Sequence, residues 1–356
     1  MVKVSKKIFN AIFLLLLLFI FISISGCSGT YSNILDSTQS SNSKEQVTPA
    51  DPASNNENSQ EGVPLPPDEV NGIYIVGDHA FAADYMKGLS VYDISDRLNP
   101  VKISELDLPG DGMDVYVLDK YAYVACGYEG LYIIDISDIE NMKVVSTLKQ
   151  DDISSAYAIR LQVQDGLLFM ADGSGGFKII DISIPESPVL VSRFGSTYQG
   201  SIDDVYIDGN TAFLADCRAG FIAVDISDPG NPRLVSETRT TGMARGLCSV
   251  KTGQGDAPYI LVADHKSMQI IDASDVSKPV IAGTYVDLKS AVSIAYAGNR
   301  AFVADFHLGL VQLDITEITK PVLINIFDTG KTNDVCIYED YVYSVGEKGI
   351  SVFAIE

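Results

Sequence analysis

Six times along the chain a short, almost wholly apolar run ends in aspartate, at Asp93, Asp135, Asp181, Asp225, Asp272 and Asp314; a seventh run, residues 350–354, puts Ala354 in that place. Neighbouring copies stand roughly 40 to 48 residues apart, the period of a four-strand unit. Other features keep step. Upstream of the run lies a strand-like stretch that closes on a small residue and aspartate: Ala80-Phe-Ala-Ala-Asp84, Leu168-Phe-Met-Ala-Asp172, Ala212-Phe-Leu-Ala-Asp216, Ile260-Leu-Val-Ala-Asp264 and Ala301-Phe-Val-Ala-Asp305. Cys126 and Gly346 replace that aspartate in the second and seventh copies. Downstream a proline opens the next run, at Pro100, Pro188, Pro232, Pro279 and Pro321, with Met142 as the exception. Glycines 88, 130, 176, 220, 309 and 349 open the aspartate-ended run, where a tight turn needs positive φ. An alternating stretch such as Val115-Tyr-Val-Leu118 comes ahead of all of these.

Each copy therefore reads as four short strands, A to D; in the second copy they are residues 114–118, 121–126, 131–136 and 143–148. Strands B and C are nearly continuous apolar runs, as expected of a sheet covered on both faces. A lone four-stranded sheet cannot bury two apolar faces. Seven packed radially can, and closing the ring leaves only short outer edges. Proline suits the start of an outermost strand, where no ladder N–H is required. The expected fold is all-β: a seven-bladed β-propeller of four-stranded antiparallel blades. A helical solenoid is excluded by the lack of a sustained helical period, and two separate sandwiches would not share one period from end to end. Glu356 coincides with the end of the seventh strand C, so the last blade is expected to be three-stranded, with at most short pairing from residues before Val70.

The pattern A-[FY]-V-A-D … G-L-x-I-I-D-I-S-x-x-x-x-P-V resembles the LVIVD repeat of a β-propeller protein family, in seven copies from Gly72 to the C-terminus. Departures fall on turns: Ala354 for aspartate, Met142 for proline, and Ser267 for glycine in the fifth copy.

The N-terminus is of another kind. Lys3, Lys6 and Lys7 precede an unbroken apolar run at 11–22, shorter than the ~20 residues of a spanning helix and suited to a signal peptide. Ile24-Ser25-Gly26-Cys27 resembles the lipobox of bacterial lipoproteins, which implies a signal peptide over 1–26 and lipidation of Cys27. Residues 27–69 are rich in Ser, Asn, Gln, Pro and Glu and too poor in large apolar residues to order themselves, so they read as a flexible tether. The propeller then occupies 70–356. The expected location is extracytoplasmic, anchored by lipid to the cell membrane or outer membrane.

The formal net charge of −22 leaves no basic footprint for nucleic acid and argues against the body lying on an acidic lipid surface. Four cysteines follow Cys27: Cys248 and Cys336 fall at strand A positions in copies five and seven, Cys126 and Cys217 near strand B ends in copies two and four, and a disulfide needs Cα atoms within about 7 Å. Cys126, Cys217, Cys248 and Cys336 are therefore expected as free thiols. No exposed apolar stripe is expected, which favours a monomer.

In propellers generally the D-to-A connections and the B-to-C loops share the face around the mouth of the central channel. The matching strand A position carries Gly72, Asp114, Arg160, Asp204, Gly246, Ser293 and Asp334, with Asp203, Arg245 and Asn333 beside it. The B-to-C loops add Tyr85, Tyr128, Arg218, His265 and His307. The candidate mouth-binding residues are therefore Asp114, Arg160, Asp203, Asp204, Arg218, Arg245, His265, His307, Asn333 and Asp334. Arg160 and Arg245 suit an anionic group, with pairing to Asp114, Asp203 or Asp204 as the simpler role. Three aspartates spread round a ring do not meet the 2.3–2.6 Å convergence that calcium needs, and the two histidines lack a third zinc ligand at metal spacing. No metal or cofactor is expected, and no catalytic residue is assigned. The repeated aspartates satisfy turn N–H groups, since one active site needs no copies. Two functions follow: an envelope-anchored module binding a protein or glycan, or a hydrolase or lyase acting at the channel mouth, with or without a metal.

Overall fold

The computed structural model describes residues 69–149, 156–195, 200–250 and 259–355. The proposed signal peptide, Cys27 and the tether lie outside the described residues. Among the described residues no helix is long and apolar enough to cross a membrane.

Twenty-seven strands follow one another in the order A, B, C, D. Blade one comprises Val70–Val76, His79–Asp84, Gly88–Asp93 and Val101–Asp107; blade two comprises Asp114–Leu118, Tyr121–Ala125, Leu131–Asp135 and Lys143–Leu148. Strand A opens the remaining blades at Ala156–Gln164, Ile202–Asp208, Gly246–Val250, Ala291–Ala297 and Thr332–Tyr338. Every pairing within a blade is antiparallel between neighbours in sequence. One bridge, Gly173 to Ile202, additionally joins blades three and four. Blade seven has three strands among the described residues, ending at Gly349–Ala354.

The ring closes through apolar contact. Seven buried clusters each lie between two neighbouring blades. The one that seals the circle packs Val70, Ile73, Ile75 and Tyr92 of blade one against Tyr343 and Val345 of blade seven. Radial packing leaves least room near the axis. Strand B accordingly carries fully buried alanines such as Ala80, Ala122, Ala212 and Ala301, while Phe81, Phe169, Phe213 and Phe302 fill the space between blades.

The repeated residues are turn chemistry. Each aspartate that ends strand C accepts a hydrogen bond from the backbone N–H two residues on, for example Ser227 N to Asp225 at 2.9 Å and Thr316 N to Asp314 at 2.8 Å. At Asp93, Asp135, Asp181, Asp225 and Asp314 these bonds pull the carboxyl pKa down, to about 2 at Asp135, where the Ser137 hydroxyl also donates. The aspartates that end strand B are buried and pin the B-to-C loop instead. Asp305 accepts four backbone N–H groups, from Lys289, Ser290, His307 and Leu308, at 2.7–3.0 Å. The glycines that open strand C have φ of 75° to 93°. Prolines immediately precede strand D, and in blade two, where Met142 stands instead, a 3₁₀ turn at Ile139–Asn141 makes the approach.

Strand D carries a device not anticipated above. Each one bulges four residues after the proline position, where Ser104, Ser146, Ser192 and Ser236 donate their hydroxyls to the C-to-D turn of the next blade. The acceptors are the carbonyls of Ile139, Pro185, Pro229 and Val276, at 2.5–2.7 Å. Gly283 takes this place in blade five, where a Cβ would collide with the Ile318 carbonyl. The expectation of no exposed apolar stripe is corrected: outer strand D is rich in exposed aliphatics, most fully in blade six, with Val322 55 % and Ile324 46 % exposed. As a one-sided edge strand it keeps β-branched residues on both faces. Cys126, Cys217, Cys248 and Cys336 are free thiols, and burial pushes Cys126, Cys248 and Cys336 up to about 12.

Candidate functional site at the channel mouth

The seven matching strand A residues meet around the axis and connect blade to blade. Aspartates at this position reach forward to the next blade and accept the N–H that follows its matching residue: Leu161 N to Asp114 at 2.8 Å, Leu247 N to Asp204 at 2.7 Å, and Ile73 N to Asp334 at 3.3 Å. Ser293 donates to Asp334 at 2.6 Å. Gly72 and Gly246 stand where a side chain would strike the adjoining blade, a Cβ on Gly72 lying 2.8 Å from the Asp114 carboxylate. Arg160 completes the circle. Its guanidinium lies 3.0 Å from Asp334 and 3.7 Å from Asp114, so it runs from blade three across the axis to blade seven.

Burial and charge compete in this plug. Burial is the larger effect on the three acids: it raises Asp114 to about 7 and Asp203 and Asp204 to about 6, against the pull of Arg160 on Asp114 and Asp204 and of Arg245 on Asp203. Burial also works against the charge of Arg160, but attraction to Asp334, Asp114 and Asp204 outweighs it and raises its pKa.

Above the plug lies a cavity of about 360 Å³, lined by D-to-A connections and B-to-C loops, the two connection types expected to share the mouth. Of the predicted residues it takes in Arg160, Asp203, Arg245, His307 and Asn333. Asp114, Asp204 and Asp334 sit beneath it in the plug and do not line it. Arg218 is exposed on its loop, its N–H bonded to Asp216. His265 is also outside the lining. The B-to-C loop of blade five is one residue shorter than those of blades four and six, so His265 does not match His307. With Ser267 in place of glycine, the left-handed conformation moves to His265, at φ 56°. Burial lowers the pKa of its imidazole, and Arg245 lowers it further.

Sequence reasoning missed much of the wall: Glu69, Asn71, Met113, Tyr157 and Phe306. Tyr157 and Phe306 are aromatics that break the repeat at mouth positions, which is the signal that would have found them. Tyr157 donates to Asp111 at 2.8 Å and meets the Tyr128 ring edge-on at 4.6 Å. Gly127 makes room for it, since a Cβ there would lie 2.7 Å from the Tyr157 ring. Asn333 donates to Asn71 and to the Val70 carbonyl, tying blade seven to blade one at the rim. Arg245 is held loosely, 3.9 Å from Asp203, and its buried Nε has no hydrogen-bond partner among the described residues. Among the described residues no three His, Cys, Asp or Glu side chains converge to hold a metal ion.

The comparisons with known proteins agree with this architecture. No curated protein matches the sequence. Among solved structures, the computationally designed Ika8 protein superposes with a TM-score of 0.57 at 10 % identity, covering 81 % of this chain and 96 % of that one. A chain in the crystal structure of the mitotic checkpoint complex superposes with a TM-score of 0.65 at 9 % identity, covering 88 % and 99 %. At such identities the likeness is one of fold. The LVIVD repeat model matches seven times, at residues 69–107, 109–149, 156–195, 199–240, 256–287, 289–329 and 330–352. A β-propeller whose every blade carries that repeat, the chain belongs to the LVIVD-repeat family.

Proposed function

We propose that this protein is a binding module held at the cell envelope by a lipidated Cys27, presenting its channel mouth to an extracellular protein or glycan. One observation carries the reading: unrepeated residues from all seven blades line one cavity, while the repeated ones are engaged in turns. The leader, the lipobox-like Ile24-Ser25-Gly26-Cys27 and the polar stretch after it support anchoring and display. A module presented on a tether needs a recognition surface and no chemistry.

Crosslinking on intact cells that carry the full chain tests it. The wild type is expected to capture a discrete partner, and the double variant Phe306→Ala/His307→Ala to lose it while remaining folded. Equal capture by both would remove the mouth from the account. One observation favours catalysis as a second reading: Asp203 lines the cavity with its pKa at about 6, in the range a general acid–base group uses. That reading requires turnover that Asp203→Asn abolishes.

A further inference from the structure

The cavity wall is chemically lopsided. Blades one to three contribute Glu69, Tyr85, Met113 and Tyr157, with Tyr128 against Tyr157 and Asp111 behind it, and the one guanidinium on this side, Arg160, is tied to Asp334 and Asp114 in the plug. Tyr85 is half-buried, Tyr157 is 7 % exposed and Tyr128 is 48 % exposed, so the group runs from the cavity floor to solvent. Burial raises the carboxyls of both Glu69 and Asp111. Lys331 acts on Glu69 from a distance, and no basic side chain among the described residues pairs with Asp111, whose partner is the Tyr157 hydroxyl. Donation from that hydroxyl to a carboxylate makes the ring face of Tyr157 more electron-rich. The cavity's two guanidiniums are engaged with carboxylates, Arg160 with Asp334 and Asp114, and Arg245 more loosely with Asp203.

We propose that this half of the mouth is an aromatic cage for an alkylammonium cation, the positive group sitting against the rings of Tyr85 and Tyr157 beside Glu69. The inference rests on the mouth being the binding site and goes further by naming the chemistry of the ligand. Ring faces attract a cation through their quadrupole, most strongly when water is excluded. Ile159 offers no acceptor to a primary ammonium's N–H groups, and the Met113 thioether is a weak one already taken up by Tyr157 and Asn71 at 3.4 and 3.6 Å, so a methylated nitrogen fits this part of the wall better than a bare one. The strongly acidic chain, at −22, draws cations toward the mouth.

Three ligands of one shape separate charge from fit: choline, neutral 3,3-dimethylbutan-1-ol, and anionic 3,3-dimethylbutanoate, each titrated calorimetrically into the full chain. Choline is expected to bind about ten-fold more tightly than the alcohol, and the carboxylate least. Tyr85→Leu should lose about five-fold of the choline affinity, and Tyr85→Phe, which keeps the ring face, should restore it. Melting curves establish that both variants are folded. Equal binding of choline and alcohol would overturn the cage and leave the cavity a site of another kind. Preference for the carboxylate would overturn it in favour of Arg245. Absence of choline binding would also overturn it, while the capture experiment above still judges the mouth on its own terms. Choline added during capture separates two sources of such a cation: displacement places it on the partner, and retention makes it a free small molecule.

Discussion

Replacing Arg160 by methionine removes the one side chain that spans the channel and leaves its acids facing one another. At an effective dielectric near 20, the 3.0 Å contact with Asp334 corresponds to about 5 kcal/mol of gross attraction. Desolvation of the guanidinium offsets part of this, and breaking a buried charge cluster by deleting one partner costs about 3–5 kcal/mol. For a domain of this size that is a fall in Tm of about 5–10 °C. The loss must depend on pH. At pH 5 Asp114, Asp203 and Asp204, with pKa values near 7, 6 and 6, are mostly protonated, so these three add little to the loss, which then falls on the Asp334 contact. At pH 8 each acid must either remain ionised without its cation or take up a proton at about 1.4 kcal/mol per pH unit above its pKa. Chemical denaturation of wild type and Arg160→Met at both pH values measures the difference. The expected loss is about 3–5 kcal/mol at pH 8 and smaller at pH 5. The same loss at both, or less than about 1 kcal/mol at pH 8, would refute the coupling of the plug.

Other outcomes follow from the same geometry. In the wild type the raised carboxyls mean that the folded state holds more protons than the unfolded state between about pH 4 and 7, so stability should fall as pH rises through that window; Asp114→Asn should flatten the dependence measured by melting. The exposed strand C aspartates act in the opposite sense, their lowered pKa values costing stability as pH falls below about 4, which places the optimum between the two. Asp305→Ala leaves four N–H groups without an acceptor and should cost about 3 kcal/mol in chemical denaturation. Gly283→Ser imposes on blade five the residue that other blades carry, yet should lower stability by about 1–3 kcal/mol because the Ile318 carbonyl occupies the space; an unchanged Tm would show that blades five and six can part at little cost.

Blade boundaries were legible because turn chemistry is local. Aspartate, proline and glycine each act within two or three residues of themselves, and the strands of blade two were placed to within one residue by them. The serine at the strand D bulge recurs in four blades and went unread, because its partner lies on the next blade and nothing local marks a hydroxyl as a tie. The plug was half legible. Matching positions named Asp114, Arg160, Asp204 and Asp334, but the span from Arg160 to Asp334 depends on ring closure and side-chain reach, which no spacing contains. His265 and His307 were both placed on B-to-C loops, but the loop of His265 is one residue shorter, a difference that leaves the apolar pattern on either side undisturbed and so does not show in it. The cavity's aromatics left a local signal, since Tyr157 and Phe306 break the repeat, but that they share one cavity depends on the closed ring.

The division between a repeated scaffold and an unrepeated mouth is tested most directly by hydrogen–deuterium exchange on the full chain, free and bound to the partner recovered by crosslinking. Binding at the mouth predicts protection confined to the B-to-C loops around Tyr85 and His307 and to the D-to-A connections around Met113 and Arg245. Protection along the exposed aliphatics of outer strand D, with the mouth loops unchanged, would contradict it.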